Sequence, residues 1–166
     1  MKNINTYINE RLHITTKSHL QHYTYHPKTT EELQEIIIQR IKDDGPECDL
    51  NDIDVSKITD MSYLFSANTQ WYGNEIFKDF NCDISRWDVS NVEYMDRMFS
   101  WCEKFNCDLS NWNVLNVKDI EYMFNNCKNF NQNLNNWDVS NVKIMKNAFY
   151  NCPTTPKWYE KRRWEY

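Results

Sequence analysis

Six cysteines carry the most reactive side chains in this sequence, since thiolates act as nucleophiles, metal ligands and disulfide partners. Zinc sites usually place two cysteines about two to four residues apart, whereas the nearest pair here, Cys102 and Cys107, is separated by five. The cysteines instead recur at matching places along the chain, as Cys48, Cys82 and Cys107 and as Cys102, Cys127 and Cys152. This recurrence predicts buried packing thiols, with disulfides or a metal site as the alternatives.

The histidines form a second group with possible chemistry, and all of them lie near the N-terminus, at His13, His19, His22 and His26. The last three would share one face of a helix, which is the arrangement that a metal site needs. Pro27, however, disfavours helix at His26, and the preceding Tyr-Thr-Tyr segment favours an extended chain. We therefore expect surface histidines and predict no metal-binding residue.

Acidic side chains recur in two further sets, which are Asp49, Asp83 and Asp108, and Asp54, Asp88 and Asp138. Carboxylates in rows are potential ligands for Ca²⁺. Asn133 and Asn113 interrupt the two sets, and a chain with only two glycines offers no glycine-rich loop to wrap an ion. We expect these Asp and Asn side chains to accept hydrogen bonds from nearby backbone N–H groups at turns.

Nothing in the sequence indicates catalysis. It contains no nucleophile beside a base, no phosphate-binding loop and no paired acid and base in a supporting context, so we predict a non-enzymatic protein without catalytic residues or a cofactor. A net charge of −5 and a pI near 5.4 disfavour nucleic acid as a partner. Arg162 and Arg163 lie in a basic, aromatic tail that could contact RNA or DNA, but Glu160 and Glu165 dilute its charge, and we expect it to cover the end of the fold.

The recurring cysteines and aspartates belong to a sequence repeat. Residues 80–92 return as 105–117 and again as 130–142, each time shifted by 25 residues, and a degenerate earlier copy begins at Cys48. A fixed period of this length indicates repeats that bury their apolar faces by stacking on one another. We predict an α/β repeat solenoid of four leucine-rich-repeat-like, right-handed short coils. Its core would be formed by columns of Phe80, Trp87, Phe99, Phe105, Trp112, Phe124, Phe130, Trp137 and Phe149.

An insertion of about nine residues separates the first two copies, within about 68–79. It contains Trp71, Tyr72, Ile76 and Phe77, more apolar surface than a purely solvated loop needs. Insertions in repeat proteins become loops on one face, which is often the binding face. We predict that this segment either folds back onto the core or binds a partner, and we take its four apolar residues as the candidate binding residues.

The segments that flank the repeats have the composition of end caps. Thr29 and Glu32 form a capping box, an apolar stripe of Leu33, Ile36, Ile37 and Ile41 follows, and Gly45 ends the predicted helix. An earlier apolar spacing predicts a short amphipathic helix around residues 4–12, and the aromatic residues after Pro156 predict a C-terminal cap. The expected organisation is an N-terminal helical segment at 1–47, the repeats at 48–152 and a C-terminal cap at 153–166.

The repeat resembles that of the BspA-type leucine-rich repeat surface proteins, which read approximately Phe-Asn-x-Asp-Ile-Ser-x-Trp-Asp-Val-Ser-Asn-Val-x-x-Met-x-x-Met-Phe. The resemblance covers residues 48–152, and the hexapeptide Trp-Asp-Val-Ser-Asn-Val is intact at 87–92 and at 137–142. It implies a repeat protein used for adhesion or protein binding, without catalysis, of a kind found on bacterial surfaces and encoded by phages and large viruses. The small number of repeats and the lack of a secretion signal favour a phage-encoded member.

We therefore expect a non-enzymatic module that binds a virion component or a host protein. A structural virion protein docked by its N-terminal helix and a cell-surface adhesin-like protein are the alternatives. No run of apolar residues is long enough to span a membrane, and the N-terminus lacks the pattern of a secretory signal. The expected location is the cytoplasm of the producing cell, with incorporation into a virion as an extension; the oligomeric state and the binding face stay open.

Overall fold

A computed structural model describes residues 23–70 and 72–162. In these residues the regular structure consists of two α-helices, α1 (Thr30–Asp44) and α2 (Lys157–Arg162), and one 3₁₀ helix (Glu75–Phe77). The remainder consists of turns that follow the sequence repeat. We refer to residues 48–67, 80–104, 105–129 and 130–152 as repeats 1 to 4. The predicted N-terminal helix and the histidines before Tyr23 lie outside the described residues.

Helix α1 forms where the capping signals predict it. The Thr29 side chain accepts a hydrogen bond from the Glu32 N–H at 3.2 Å, and the Glu32 carboxylate accepts from the Lys28 N–H at 2.7 Å. Gly45 ends the helix at a φ of 90°, a value that residues other than glycine rarely adopt, and donates to the Ile41 carbonyl. Leu33, Ile37 and Ile41 are buried against repeat 1, so the predicted apolar stripe is confirmed as the packing face of α1.

The predicted α/β repeat solenoid of leucine-rich-repeat type is wrong, because residues 23–70 and 72–162 contain no β-strand and therefore no sheet. Successive repeats are linked only by isolated parallel bridges, such as Asp60 with Tyr94 and Tyr94 with Asp119. Between the bridges the backbone forms consecutive turns. In one of these turns the N–H of Leu64 donates to the Met61 carbonyl at 3.2 Å. Because these turns include residues with left-handed backbone, no run of extended residues long enough for a strand can form.

Two interleaved columns of phenylalanine fill the centre of the molecule. Phe80, Phe105 and Phe130 stack with ring centroids 5.6 and 5.7 Å apart. A second column, formed by Phe65, Phe99, Phe124 and Phe149, alternates with the first. The closest rings of the two columns are those of Phe99 and Phe105, with centroids 4.1 Å apart. Stacked aromatic pairs add about 0.5–1.5 kcal/mol to the burial of their area. The nine aromatic residues predicted for the core are all at most 5% exposed.

Tryptophans tie each repeat to the one before it. The indole N–H of Trp87 donates to the Leu50 carbonyl at 2.9 Å, that of Trp112 to Ile84 at 3.2 Å and that of Trp137 to Leu109 at 2.9 Å. Trp158 in α2 continues the pattern by donating to the Leu134 carbonyl at 2.8 Å. Helix α2 thus covers the tryptophan side of repeat 4. The predicted domain boundaries after residues 47 and 152 stay predictions.

Candidate binding surface

One side of the molecule is built by a repeated pattern of inter-repeat hydrogen bonds. In repeat 1 the backbone N–H groups of alternate residues donate to carbonyls of repeat 2 over N–O distances of 2.8–3.0 Å; the donors are Met61, Tyr63, Phe65 and Ala67, and the acceptors are Tyr94, Asp96, Met98 and Ser100. Repeats 2 and 3 donate to repeats 3 and 4 in the same way. We call residues 60–67, 94–101, 119–126 and 144–151 the bonded rows. Their inward side chains enter the phenylalanine core, so the remaining side chains of each row project outward.

Several outward positions have left-handed backbone. Tyr63, Arg97 and Tyr122 occupy the same place in repeats 1 to 3, with φ of 60°, 54° and 54°, and Asn147 occupies it in repeat 4 with φ of 53°. Trp101 has φ of 67° at a second such place, where the next two repeats carry Asn. Left-handed backbone costs a bulky residue about 1–2 kcal/mol, whereas Asn adopts it far more readily. The backbone would thus accept Asn in every repeat, and the large side chains are not explained by the fold.

The large side chains at these places contact one another across the repeats. The Arg97 guanidinium lies 5.4 Å from the Tyr63 ring centroid and 4.8 Å from that of Tyr122, which is cation–π distance on both sides. The same guanidinium pairs with the carboxylates of Asp96 at 3.2 Å and Glu121 at 3.5 Å. Arg97 is therefore held in place by four neighbours, and it joins the outward side chains of three repeats into one surface.

Exposed aromatic residues extend this surface. Tyr94 is 42% exposed, and the Lys118 ammonium lies 5.9 Å from its ring centroid. Trp101 is 40% exposed, and Tyr72, from the insertion, is 92% exposed with its ring edge-on to Tyr63 at a centroid distance of 6.3 Å. We name as the aromatic face the surface formed by Tyr63, Tyr72, Tyr94, Arg97, Trp101 and Tyr122. Ile144 and Tyr150, also exposed, lie beyond it in repeat 4.

The four candidate binding residues of the insertion lie in different environments. Phe77 is fully buried and packs edge-on against Phe65 at 5.7 Å, and Ile76 is partly buried against the same core. Tyr72 belongs to the aromatic face, and Trp71 lies outside the described residues. The insertion therefore anchors itself with one side chain and presents another to solvent.

The charges on the aromatic face are partly neutralised. Lys118 pairs with Glu93 at 2.6 Å, and Arg97 offsets the carboxylates beside it. Burial raises the pKa of Asp119 above its ordinary value, and the nearby carboxylates of Asp96 and Glu121 act in the same direction. A mixture of aromatic rings with partly paired charges is typical of protein-binding surfaces.

The cysteines have the properties of packing thiols. Cys102 and Cys127 are completely buried, and their Sγ atoms lie 2.9 and 3.0 Å from the Phe65 and Phe99 carbonyl oxygens. Burial raises the pKa of both thiols well above the ordinary value, and it raises that of Cys107 to about 11 and that of Cys152 to about 12. Thiols with such pKa values carry almost no thiolate at neutral pH. All six are free, although the Sγ atoms of Cys48 and Cys82 approach to 2.9 Å.

The side chains of the two acidic sets accept hydrogen bonds within turns. Asp49, Asp83, Asp108 and Asn133 each accept a hydrogen bond from the backbone N–H two residues later, at 2.8–3.1 Å, as expected for Asx turns. The second set does the same, as with Asp88 and the Ser90 N–H. His26 lies 3.2 Å from the Asp54 carboxylate, and in the described residues no group of three or more His, Cys, Asp or Glu side chains is placed to hold a metal ion.

Sequence reasoning missed Tyr94, Arg97, Trp101 and Tyr122, because they are not part of the recurring apolar pattern. A usable signal was present, since each of these residues differs from its counterpart in at least one other repeat while the core positions stay nearly constant. At positions that vary among repeats with the same backbone, the fold does not require a particular side chain. Such positions are where a repeat protein can place its binding side chains.

Neither α-helix in the described ranges has the length and the apolar composition of a membrane span.

Comparison with known proteins places the chain in a family. No curated protein and no solved structure matches the chain. A family model described as "Mycoplasma protein of unknown function, DUF285", which represents BspA-like repeats, matches residues 37–161, and the chain therefore belongs to this family.

Proposed function

We propose that this protein is a non-enzymatic binding module whose aromatic face contacts a partner protein. The observation that carries the proposal is the presence of Tyr63, Arg97, Trp101 and Tyr122 at left-handed positions where other repeats carry Asn. Keeping bulky side chains there costs stability, and a binding role accounts for that cost. Tyr, Trp and Arg are also the residues that most often dominate the energy of protein interfaces.

The distribution of exposed apolar groups supports the same surface. Among the described residues, the large hydrophobic side chains classed as exposed are Tyr72, Tyr94, Trp101, Leu115, Ile144 and Tyr150. All except Leu115 lie on the bonded rows or against them. Scattered single apolar residues need no explanation, but a cluster on one side of a monomer marks an interaction site.

For the partner we propose a virion component or a host protein, with the protein itself encoded by a phage. The feature that supports this origin is the resemblance of the repeats to those of proteins that phages also encode. The alternative of a structural virion protein docked by its N-terminus depends on residues 1–14, which lie outside the described residues. Deleting residues 1–14 separates the two functions, because binding through the aromatic face should survive the deletion.

The proposal is tested by quantitative capture from infected cells and by binding to purified virions. The test variant carries Tyr94→Ala and Trp101→Ala, and the control carries Leu115→Ala, since Leu115 is as exposed as Tyr94, at 42%, but lies on another side. The wild-type protein and the control should recover the same stoichiometric partner. The test variant should bind it at least about 30-fold more weakly, because the loss of even one central aromatic residue costs about 2 kcal/mol or more. Equal recovery by all three proteins would refute the aromatic face as the binding surface.

A further inference from the structure

The last repeat ends in a row of backbone donors without acceptors. In repeats 1 to 3 four alternate N–H groups of each bonded row donate to the next repeat. The corresponding groups of repeat 4 are the N–H groups of Met145, Asn147, Phe149 and Asn151. Within residues 23–70 and 72–162 none of these four N–H groups has a hydrogen-bond acceptor. Helix α2 does not supply one, because it covers the tryptophan side of the repeat.

Repeat 1 shows the opposite arrangement: its outer side presents carbonyl acceptors, and most of them are already hydrogen-bonded. Three of the four carbonyls that face away from repeat 2, those of Asp60, Leu64 and Ser66, accept hydrogen bonds from the Thr30 hydroxyl, from the Gln34 side chain at 2.9 Å and from the Asn74 N–H at 2.8 Å. Repeat 1 of a second copy of the chain therefore cannot accept the N–H groups of repeat 4, because most of these carbonyls are already used. Two copies cannot pair through repeat 4 either, since both rows would offer donors and neither would offer acceptors.

A groove runs along the unpaired donors. Its volume is about 750 Å³, and its apolar wall includes Met145, Phe149 and Tyr159. Lys143 and Lys146 lie at its rim, are exposed, and have no carboxylate within ion-pair distance in the part of the chain that the structure describes. Glu121, the acidic group of the groove, is already paired with a guanidinium of the aromatic face. The groove therefore favours a ligand that brings acceptors and negative charge.

We propose that residues 144–151 bind an acidic segment of a partner protein that folds into the turns of a bonded row, so that its alternate carbonyls accept the four N–H groups. The chain itself shows what such a segment is like. In repeat 3 the carbonyls of Asp119, Glu121, Met123 and Asn125 accept the equivalent donors of repeat 2, and the segment places Phe124 in the core. An added segment would extend the hydrogen-bond pattern by one row, much as peptides pair with the unpaired backbone edges of sheets, but in the turn conformation of the repeats.

The premise is tested first, by amide hydrogen exchange on the free, full-length protein. The four N–H groups of repeat 4 should exchange rapidly. Their counterparts in the inner repeats, which are hydrogen-bonded, should be protected; these are Met95, Arg97, Phe99 and Trp101, and Ile120, Tyr122, Phe124 and Asn126. Protection of the four repeat 4 amides in the free protein would show that the row is already occupied, by this chain or by a second copy, and would overturn the proposal.

Binding is tested with a synthetic peptide that has the sequence of residues 119–126, Asp-Ile-Glu-Tyr-Met-Phe-Asn-Asn. Its addition should protect alternate amides, at 145, 147, 149 and 151, and leave the exchange at 146 unchanged. Lys146→Glu should weaken peptide binding by about threefold or more, as expected when the charge of one exposed lysine near a carboxylate of the bound peptide is reversed. Lys104→Glu, the same charge reversal at an exposed lysine outside the groove, should leave it unchanged.

The outcome is separable from that of the aromatic face. Tyr94→Ala removes a side chain of the aromatic face and should leave binding of the peptide unchanged. No binding at millimolar peptide, or protection that does not alternate along residues 145–151, would overturn the proposal for repeat 4. The same results would not affect the proposed role of the aromatic face, which has its own variants.

Discussion

Replacing Trp112 with Phe tests whether the indole hydrogen bonds hold the repeats together. Trp112 is 4% exposed, and its indole N–H donates to the Ile84 carbonyl at 3.2 Å. That carbonyl also accepts the Trp87 N–H at 3.2 Å, so it keeps one partner after the substitution. The full cost of a buried, unpaired acceptor therefore does not arise, and the loss is that of an ordinary hydrogen bond plus the area of the smaller ring.

The two contributions set the expected size of the effect. A buried neutral hydrogen bond is worth about 1 kcal/mol net, and replacing the indole with a phenyl ring removes apolar surface equivalent to about two CH₂ groups, at about 0.8 kcal/mol each. We expect Trp112→Phe to lower the free energy of unfolding by about 2–3 kcal/mol. For a chain of this size the corresponding fall in Tm is about 4–12 °C.

The measurement is urea unfolding followed by intrinsic fluorescence, with Trp101→Phe as the matched control. Trp101 is 40% exposed on the aromatic face, so the same substitution there should change the free energy of unfolding by less than about 0.5 kcal/mol. The m value should be the same for both variants and the wild type, since neither changes the surface exposed on unfolding. Equal destabilisation by the two substitutions would refute a specific role for the buried indoles.

Three further predictions concern the insertion, helix α1 and the acidic groups. Phe77→Ala should destabilise the protein by about 3–5 kcal/mol because the ring is fully buried, while Tyr72→Ala, at 92% exposure, should stay within about 0.5 kcal/mol of the wild type in the same urea titration. The Arg40 side chain is 20% exposed and pairs with two carboxylates at 2.8 and 3.0 Å, so Arg40→Lys should lower the stability of the protein by about 1–2 kcal/mol in thermal denaturation. Arg86→Lys, at a pair whose side chains are 61% and 62% exposed, should have no measurable effect. Because the pKa of Asp119 is raised by burial, the folded state binds more protons than the unfolded state just above the ordinary pKa, and the contribution of this group to stability falls as the pH rises through that window. Asp119→Asn keeps the turn acceptor and should therefore raise the urea midpoint at pH 7 but not at pH 3.

The parts of the fold that follow from local chemistry could be predicted from the sequence. The capping box at Thr29 placed the start of α1, and the acidic residues two positions before an N–H placed the Asx turns. A period of 25 residues also brings Phe80 to Phe105, because residues one repeat apart stack when the repeats are equivalent. Each of these inferences depends on a few neighbouring residues or on the repeat alone.

The predicted α/β solenoid is wrong because the inward residues of each repeat do not have the spacing of a strand. Met95, Met98 and Phe99 all point to the core, at intervals of three residues and one. A strand would bury every second residue, whereas successive turns with i to i+3 hydrogen bonds give the observed spacing. The left-handed residues were equally hidden, since Tyr63 and Arg97 carry no local signal for that conformation and adopt it because the inter-repeat hydrogen bonds require it.

The two ends of the repeats differ for a chemical reason. A row of carbonyls can be covered by side-chain donors, and Thr30 and Gln34 on α1 do so for repeat 1. A row of N–H groups needs acceptors in fixed register, and in the described residues α2 offers it none: Trp158 and Arg162 instead donate to carbonyls of repeat 4. A cap rich in donors satisfies one kind of row and cannot satisfy the other. The end of the molecule at repeat 4 is therefore the end at which another polypeptide can be added.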